Sequence, residues 1–359
     1  MQREIQISPI QLSFVIITLL FSDFAIMNPA KDAMRDSWLA FIVGMLLGLL
    51  LVTVYLLIAK LNPGKTLIEI LLNTFGKVFG TMLSLFYIWY FIHLAALVVR
   101  SFGEYMITVN YVETPLFFIM IFFMLPIAYG LRKGFDVVVK GMELFVPLLI
   151  LATLALFLML SHKFQFQFIF PILKDGIKPV LQIGYKIATL PFGELVILLM
   201  IFPYFNEKSK LMKVTYISVI IGSLILFGIV LRDLLVLGPE LLSIIVFPPN
   251  VSSSLLSTAG LEPLISVNLL IGGAGFLYCY IHGITLGISQ IFHIEEDRSL
   301  IIPVITIIIG LSIWLYDNIL EMFKFARDVH PYYSMPFQII IPLIVLLISY
   351  IKKKKREKN

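Results

Sequence analysis

Charge is scarce in this chain. Asp, Glu, Lys and Arg make up 14% of its 359 residues, and hydrophobic residues 60%. Soluble domains carry about 25% charged and about 45–50% apolar residues. The imbalance excludes an ordinary water-soluble domain and predicts an all-α, polytopic membrane protein. Cysteine is nearly missing too. Cys279 stands alone, which rules out an intrachain disulfide and a thiolate metal cluster. The five histidines are dispersed without metal-ligand spacing. There is no phosphate-binding glycine loop, no H-E-x-x-H and no G-x-S-x-G. These absences argue against an enzyme, against ATP use and against a metal or other cofactor.

The one dense run of charge is Lys352-Lys353-Lys354-Lys355-Arg356-Glu357-Lys358. It follows an apolar stretch, so it reads as a cytoplasmic anchor on anionic lipid and not as a nucleic-acid tail. At the other end, the first apolar segment has Arg3 as its basic flank, offset by Glu4, and no small-residue cleavage site. It is expected to be a retained helix and not a signal peptide. Residues 1–351 are read as one transmembrane domain and 352–359 as a basic cytoplasmic tail.

Ten long apolar stretches are present. A helix needs about 20 apolar residues to cross a hydrocarbon core about 30 Å thick. The predicted spans are 9–28, 38–59, 79–101, 114–130, 142–161, 183–204, 214–237, 264–290, 300–317 and 336–351. Lys and Arg placement sets orientation. With the N-terminus cytoplasmic, the inside segments hold Arg3, Lys60, Lys65, Lys77, Arg132, Lys133, Lys140, Lys208, Lys210, Lys213, Arg298 and the tail cluster. Most of the 27 basic residues then lie inside, so both termini are expected in the cytoplasm. Spans one and six start on opposite sides, which permits two inverted five-helix halves, a common transporter plan.

Span six carries Pro191-Phe192-Gly193-Glu194 at its centre. Hydrocarbon offers no hydrogen-bond partners, so a proline, a glycine and a carboxylate at mid-depth need solvation by protein or trapped water. Span one holds Ser22-Asp23 and ends at Asn28-Pro29. At about 1.5 Å per residue, Asp23 lies roughly 21 Å from the cytoplasmic side and Glu194 roughly 16 Å from the outer side. Two readings stand. In one, the broken regions face each other and hold a small zwitterion or cation: helix N-termini take a carboxylate, and free carbonyls or Glu194 take an ammonium. In the other, Glu194 is a protonated acid hydrogen-bonded between helices for assembly alone.

Other intramembrane polar residues are weaker candidates. His93 in span three is a ligand group or a helix-to-helix hydrogen bonder. Arg232-Asp233 reads as a snorkelling, self-paired couple near the outer face. Lys186, two turns before Glu194, is expected to reach the outer surface. In span eight, Gly275, Cys279, Gly283 and Gly287 recur every four residues and present a ridge for close packing, as do Gly44 and Gly48 in span two. Tyr278, Tyr280 and Thr285 lie beside that ridge as candidates to line a cavity. The outer connection 238–263 is long and apolar enough to be a lid or partner surface. Phe164-Gln165-Phe166-Gln167-Phe168 reads as an amphipathic edge or an aromatic turn.

These residues resemble a known group. Ile7-Ser8-Pro9-Ile10-Gln11 looks like its opening, and Met34-Arg35-Asp36-Ser37-Trp38-Leu39 like its entry to helix two. Tyr129-Gly130-Leu131-Arg132-Lys133-Gly134, then Lys140-Gly141-Met142-Glu143 and Pro147, is similar to its loop before helix five. Pro191-Phe192-Gly193-Glu194, Arg232-Asp233-Leu234-Leu235-Val236-Leu237-Gly238 and Val246-Phe247-Pro248 complete the set. Together they resemble the B subunit of the spore germinant receptors of Bacillus-type bacteria, within the amino acid–polyamine–organocation transporter superfamily. The resemblance implies a ten-helix transporter-like fold with helices one and six broken, in the spore inner membrane. It implies recognition of a nutrient germinant such as an amino acid, alongside A and C subunits. By the superfamily's plan, helices one, three, six and eight surround the ligand, which nominates Ser22, Asp23, His93, Pro191, Gly193, Glu194, Tyr280 and Thr285. Ser22-Asp23 stands where that plan has glycine. The rival expectation is a secondary amino-acid transporter driven by an ion gradient.

Overall fold

The computed structural model describes residues 6–22, 24, 26–256 and 262–356. Among these residues the secondary structure is helical apart from one bridge between Ile7 and Phe205. Nine helical segments in the described residues are long and apolar enough to cross a bilayer. The tenth segment, α1 (Pro9–Phe21), is apolar but only 13 residues long, or about 20 Å against a core of about 30 Å. Ser8 and Gln11 form a reciprocal capping box and Pro9 stands in its first turn, so its start is sharply defined.

It ends inside the predicted span 9–28, next to the Ser22-Asp23 pair at which helix one was expected to be broken. Ser22 leaves helical geometry (φ −9°, ψ −110°), and Pro29 disfavours a helical residue before it. The chain resumes as a 3-10 turn at Lys31–Asp36. Beyond it run α2 (Ser37–Leu61), the short α3 (Leu67–Phe75), α4 (Lys77–Val109), α5 (Leu116–Lys133) and α6 (Phe135–Leu160). The sixth segment starts as α7 (Ile177–Ile187), breaks, and ends through α8 (Leu198–Ile201). Then come α9 (Leu211–Leu237), the connecting helices α10 (Pro239–Ile244) and α11 (Pro248–Ser254), and α12 (Glu262–Phe292). Last are α13 (Ile301–Trp314), α14 (Ile319–Asp328), α15 (His330–Tyr333) and α16 (Ile341–Arg356).

The bundle has two unlike ends. At the terminal face, Ile7 is stitched between Tyr204 and Asn206 by backbone hydrogen bonds of 2.8 and 3.1 Å. The Lys352 ammonium donates to the Asn73 carbonyl there, and α16 continues through the basic run to Arg356. The opposite, capped face is roofed by α10, α11, α14 and α15. Phe166–Ile169 there is a 3-10 turn tied to α9 by Gln165 N–H to Leu235 O at 2.9 Å. The aromatic-turn reading therefore holds over the amphipathic edge.

Interior and lipid faces follow from the side chains. α4 and the sixth segment bury nearly everything at their centres, while α5, α6, α13 and α16 turn Phe122, Leu151, Leu158, Ile307 and Leu347 outward. Both small-residue ridges seat the broken segments. Gly275 and Gly283 of α12 stand against Thr18 of α1 and Ile197 of the sixth segment, and Gly44 and Gly48 of α2 against Ile187 and Phe192. A β-carbon at any of these four would overlap its neighbour, so helix approach sets the residue type.

Candidate functional site

The sixth segment is interrupted where the sequence predicts. After α7, residues Ala188–Phe192 form a π turn, with Leu190 outside helical geometry (φ −135°, ψ 111°) and a cis bond to Pro191. Gly193–Ile197 continue as a 3-10 turn. Proline has no N–H to donate, so one backbone carbonyl before the break loses its helical partner. Side chains from three other segments hydrogen-bond to carbonyls at the break. The Tyr55 hydroxyl of α2 donates to the Gly193 carbonyl (3.2 Å) and to that of Gln338 (2.8 Å). Tyr280 of α12 donates to the Glu194 carbonyl at 2.8 Å. The Gln338 amide donates to the Thr189 carbonyl at 3.0 Å and to the Tyr90 hydroxyl at 2.7 Å. Gly193 is the residue that admits this amide, because a β-carbon there would overlap it.

These contacts alter one expectation. Free carbonyls or Glu194 were expected to take an ammonium; the carbonyls of Gly193 and Glu194 each accept a tyrosine hydroxyl. The Glu194 carboxyl is what the break presents. It lines a hollow of about 10 Å³ with Met27, Leu94, Ser101, Leu190, Met322 and Phe323 among its walls. That is room for about one water. Its Oε1 lies 3.7 Å from Nε2 of His330, and both side chains are buried.

A second cavity sits above this hollow at the capped face. It measures about 370 Å³ and is lined by Lys31, Asp32, Lys186, Lys324, Arg327 and residues 243, 244 and 246 of the roof. Met27, Leu190, Phe323 and Ala326 line both spaces, so these four side chains are the partition between them. Lys31 also holds the roof down through its ammonium to the Ile245 carbonyl (2.5 Å). Lys186 turns toward Asp328 at 3.8 Å. The Arg327 guanidinium hydrogen-bonded to Asp328 holds that carboxyl below the ordinary carboxylate range. With four basic side chains against Asp32 in its lining, the vestibule attracts anionic groups.

A larger cavity, about 1010 Å³, is elsewhere. It is an apolar lateral groove among α5, α6 and α12, and Tyr278 belongs to it. It shares no residue with the hollow beside Glu194.

The predicted residues separate accordingly. Pro191, Gly193, Glu194 and Tyr280 meet at the break. Ser22 is buried at the end of α1, with no partner for its hydroxyl among the described residues. Asp23 lies outside the described residues. His93 is buried on α4, with Nε2 3.5 Å from the Tyr316 hydroxyl and its ring edge-on to Tyr333 at 5.2 Å. Thr285 is not brought to the site: its hydroxyl donates to the His282 carbonyl of its own helix, and it lines neither space. Arg232-Asp233 is self-paired as predicted but does not snorkel. Both side chains are buried, and Asp233 also accepts from Ser252 at 2.8 Å and Asn28 at 3.4 Å. Sequence reasoning missed Tyr55, Tyr90, His330 and Gln338. A signal existed for two of them: His330, Ser334 and Gln338 recur every four residues, on one helical face. Among the described residues no group of three or more His, Cys, Asp or Glu could hold a metal.

The bundle with its two interrupted segments is an inverted-repeat transporter fold. The crystal structure of MhsT in complex with L-phenylalanine superposes with a TM-score of 0.65 over 97% of this chain and 99% of that one, at 12% identity. At that identity the likeness concerns the fold. A profile of the spore permease family, described as Spore germination protein, matches residues 6–319, and the chain belongs to that family. Spore germination protein KB of Bacillus subtilis (strain 168) is 31% identical over 99% of this chain and 98% of its own length. Spore germination protein B2 of the same organism is 22% identical over 99% and 95%. The chain is thus an integral, multi-pass, permease-type spore germination protein, placed by family and fold among non-enzymatic proteins.

Proposed function

We propose that this chain is the nutrient-recognition subunit of a germinant receptor, binding an amino acid near mid-membrane and acting with A and C subunits in the spore inner membrane. Both termini then face the cytoplasm, and the capped face and its vestibule face outward. The nutrient enters the vestibule, where Lys31, Lys186, Lys324 and Arg327 draw its carboxylate. Its ammonium reaches Glu194 once Met27, Leu190 and Phe323 part. The end of α1 at Ser22 faces the break from the other side. Binding shifts a pre-existing closed–open balance that a partner subunit reads.

The observation that carries this reading is the pair of spaces. A cavity of about 370 Å³ is of ligand size, and it is separated from a buried carboxyl by four side chains. Binding of radiolabelled amino acids and sugars to the full chain in vesicles tests it. Saturable binding weakened at least tenfold by Glu194→Gln is expected, and binding indifferent to that change overturns the assignment. The transporter fold favours a second reading, a secondary amino-acid transporter driven by an ion gradient. Label accumulating inside vesicles under an imposed gradient selects it; binding without flux selects the sensor.

A further inference from the structure

The lateral groove among α5, α6 and α12 has no part in nutrient recognition as read above. Its mouth faces sideways. Phe122 of α5, Phe145 of α6 and Leu270 of α12 line it and are themselves exposed, on helices long and apolar enough to cross a bilayer. Whatever fills it comes from the membrane and not from water. Along α12 the groove runs from Ser266 to Tyr278, about 18 Å. That is slightly more than half of a hydrocarbon core about 30 Å thick, the depth of one leaflet's acyl chains. A helix with its side chains is about 10 Å across, and about 18 Å of it takes up about 1,400 Å³. The groove holds about 1010 Å³, so a helix of another protein seats only in part, whereas a narrower acyl chain lies inside.

One residue widens the groove. Glycine weakens a helix interior relative to alanine, and at Gly275 and Gly283 close helix approach requires it. Gly141 of α6 differs. It lines the groove, and a β-carbon there would meet no described atom within 4 Å.

Charge distinguishes the two ends. Toward the capped face lie Asn110 and Ser266, hydrogen-bonded at 3.1 Å, with Glu113 exposed in the turn before α5. Toward the terminal face, Arg132 and Lys133 follow the lining residue Gly130, and Lys140 precedes Gly141; all three cations are exposed. The Lys133 ammonium stands over the Tyr129 ring at 5.3 Å, and tyrosine favours the membrane–water boundary. The acids of this rim are Asp136 and Glu143. Asp136 shares the Gly134 turn with the Arg298 guanidinium, and Glu143 accepts from Gln11 of α1 at 2.7 Å. The run Glu295-Glu296-Asp297 begins past Phe292, about 21 Å along α12 from Tyr278. The rim on α5 and α6 therefore favours an anion.

We propose that the groove is a phospholipid site. One acyl chain lies along α12 against Gly141, and an anionic headgroup rests on Arg132, Lys133 and Lys140 in the leaflet at the terminal face. Thr18 also lines the groove, four residues before α1 gives way at Ser22. The bound chain thus packs against the first broken segment and steadies it.

Photo-crosslinking tests the site with the full chain in phosphatidylcholine vesicles. The probes are phosphatidylglycerol and phosphatidylcholine carrying the same photoactivatable acyl chain. Label from the anionic probe should saturate near one per chain, fall in the peptides of α5, α6 and α12 that line the groove, and exceed label from phosphatidylcholine roughly tenfold. Gly141→Trp fills the space and should remove most of that label, while Gly141→Ala, which firms the helix without filling the groove, should keep it. Should tryptophan prevent folding, the exposed rim still decides: Lys133→Gln with Lys140→Gln should cut the preference for the anionic probe roughly fivefold for each lysine removed. A preference that survives the double change overturns the proposal. Equal label from both probes, or label spread evenly over the outward faces of α13 and α16, shows annular lipid only and overturns it, as does label unchanged by Gly141→Trp in a folded protein. Gly141→Cys supplies a further check, because Cys279 is buried. Disulfide-linked dimers of that variant in vesicles would assign the groove to a second copy of the chain and overturn the lipid assignment.

Discussion

Two buried acids in this protein are treated in opposite ways. Asp233 is saturated: it accepts two hydrogen bonds from Arg232, one from Ser252 and one from Asn28. Those partners lie on its own helix, on roof helix α11 and beyond the end of α1, so the carboxylate clamps three parts of the capped face. Glu194 faces His330 at 3.7 Å, beyond hydrogen-bond distance, and lines a hollow beneath the vestibule. Burial alone therefore does not mark a binding acid. What separates the two is setting: Asp233 clamps three parts of the capped face, whereas Glu194 lines a hollow at the break beneath the vestibule.

The largest effect should come from breaking the clamp. Asp233→Leu strands the Arg232 guanidinium in the interior, a change expected to cost about 3–5 kcal/mol. Thermal or denaturant unfolding in micelles reads it. Arg232→Met combined with Asp233→Leu should recover much of the loss, because no charge is then left unpaired. A double variant as unstable as the single one would show that the ion pair itself holds the roof.

At the other acid the same kind of change should spare the fold and strike binding. Gly193→Leu forces a side chain into the Gln338 amide and is expected to cost about 1–3 kcal/mol of stability, with nutrient binding lost. Glu194→Gln should leave unfolding unchanged while removing a charge-assisted contact worth about 1.5–3 kcal/mol, or roughly ten- to a hundredfold in Kd. A Glu194→Gln protein as unstable as Asp233→Leu would erase the distinction between the two acids.

How much of this was legible before any coordinates follows the range of the signal. Hydrophobic runs placed several membrane segments within a few residues, as with 38–59 against Ser37–Leu61 and 214–237 against Leu211–Leu237. Proline and glycine announced the break at Pro191 because their backbone effects are local. The polar pair Ser22-Asp23 marked the break in span one, and α1 stops at Phe21, one residue before it. Partners of the carbonyls at the break near Pro191 were hidden. Tyr55 lies 138 positions from Gly193, and Gln338 lies 149 from Thr189. Nothing local specifies such a pairing, and the depth of Arg232-Asp233 depended on a roof whose folding the sequence did not show.

The smallest predicted differences lie within α12, between two hydroxyls that sequence ranked alike. Tyr280 donates its hydroxyl to the Glu194 carbonyl of another segment, at the break. Thr285 donates to the carbonyl three residues back on its own helix, a local bond that competes with helix geometry and contributes little. Tyr280→Phe should therefore cost about 0.5–1.5 kcal/mol and weaken nutrient binding several-fold, since the Glu194 backbone loses its tether. Thr285→Ala should stay within about 0.5 kcal/mol of wild type and leave binding unchanged. Measured side by side by unfolding and by radiolabel binding, equal effects would mean that proximity to the ridge matters and contact with the break does not. A Thr285→Ala protein weaker in binding than Tyr280→Phe would move the ligand one turn along α12, away from Glu194.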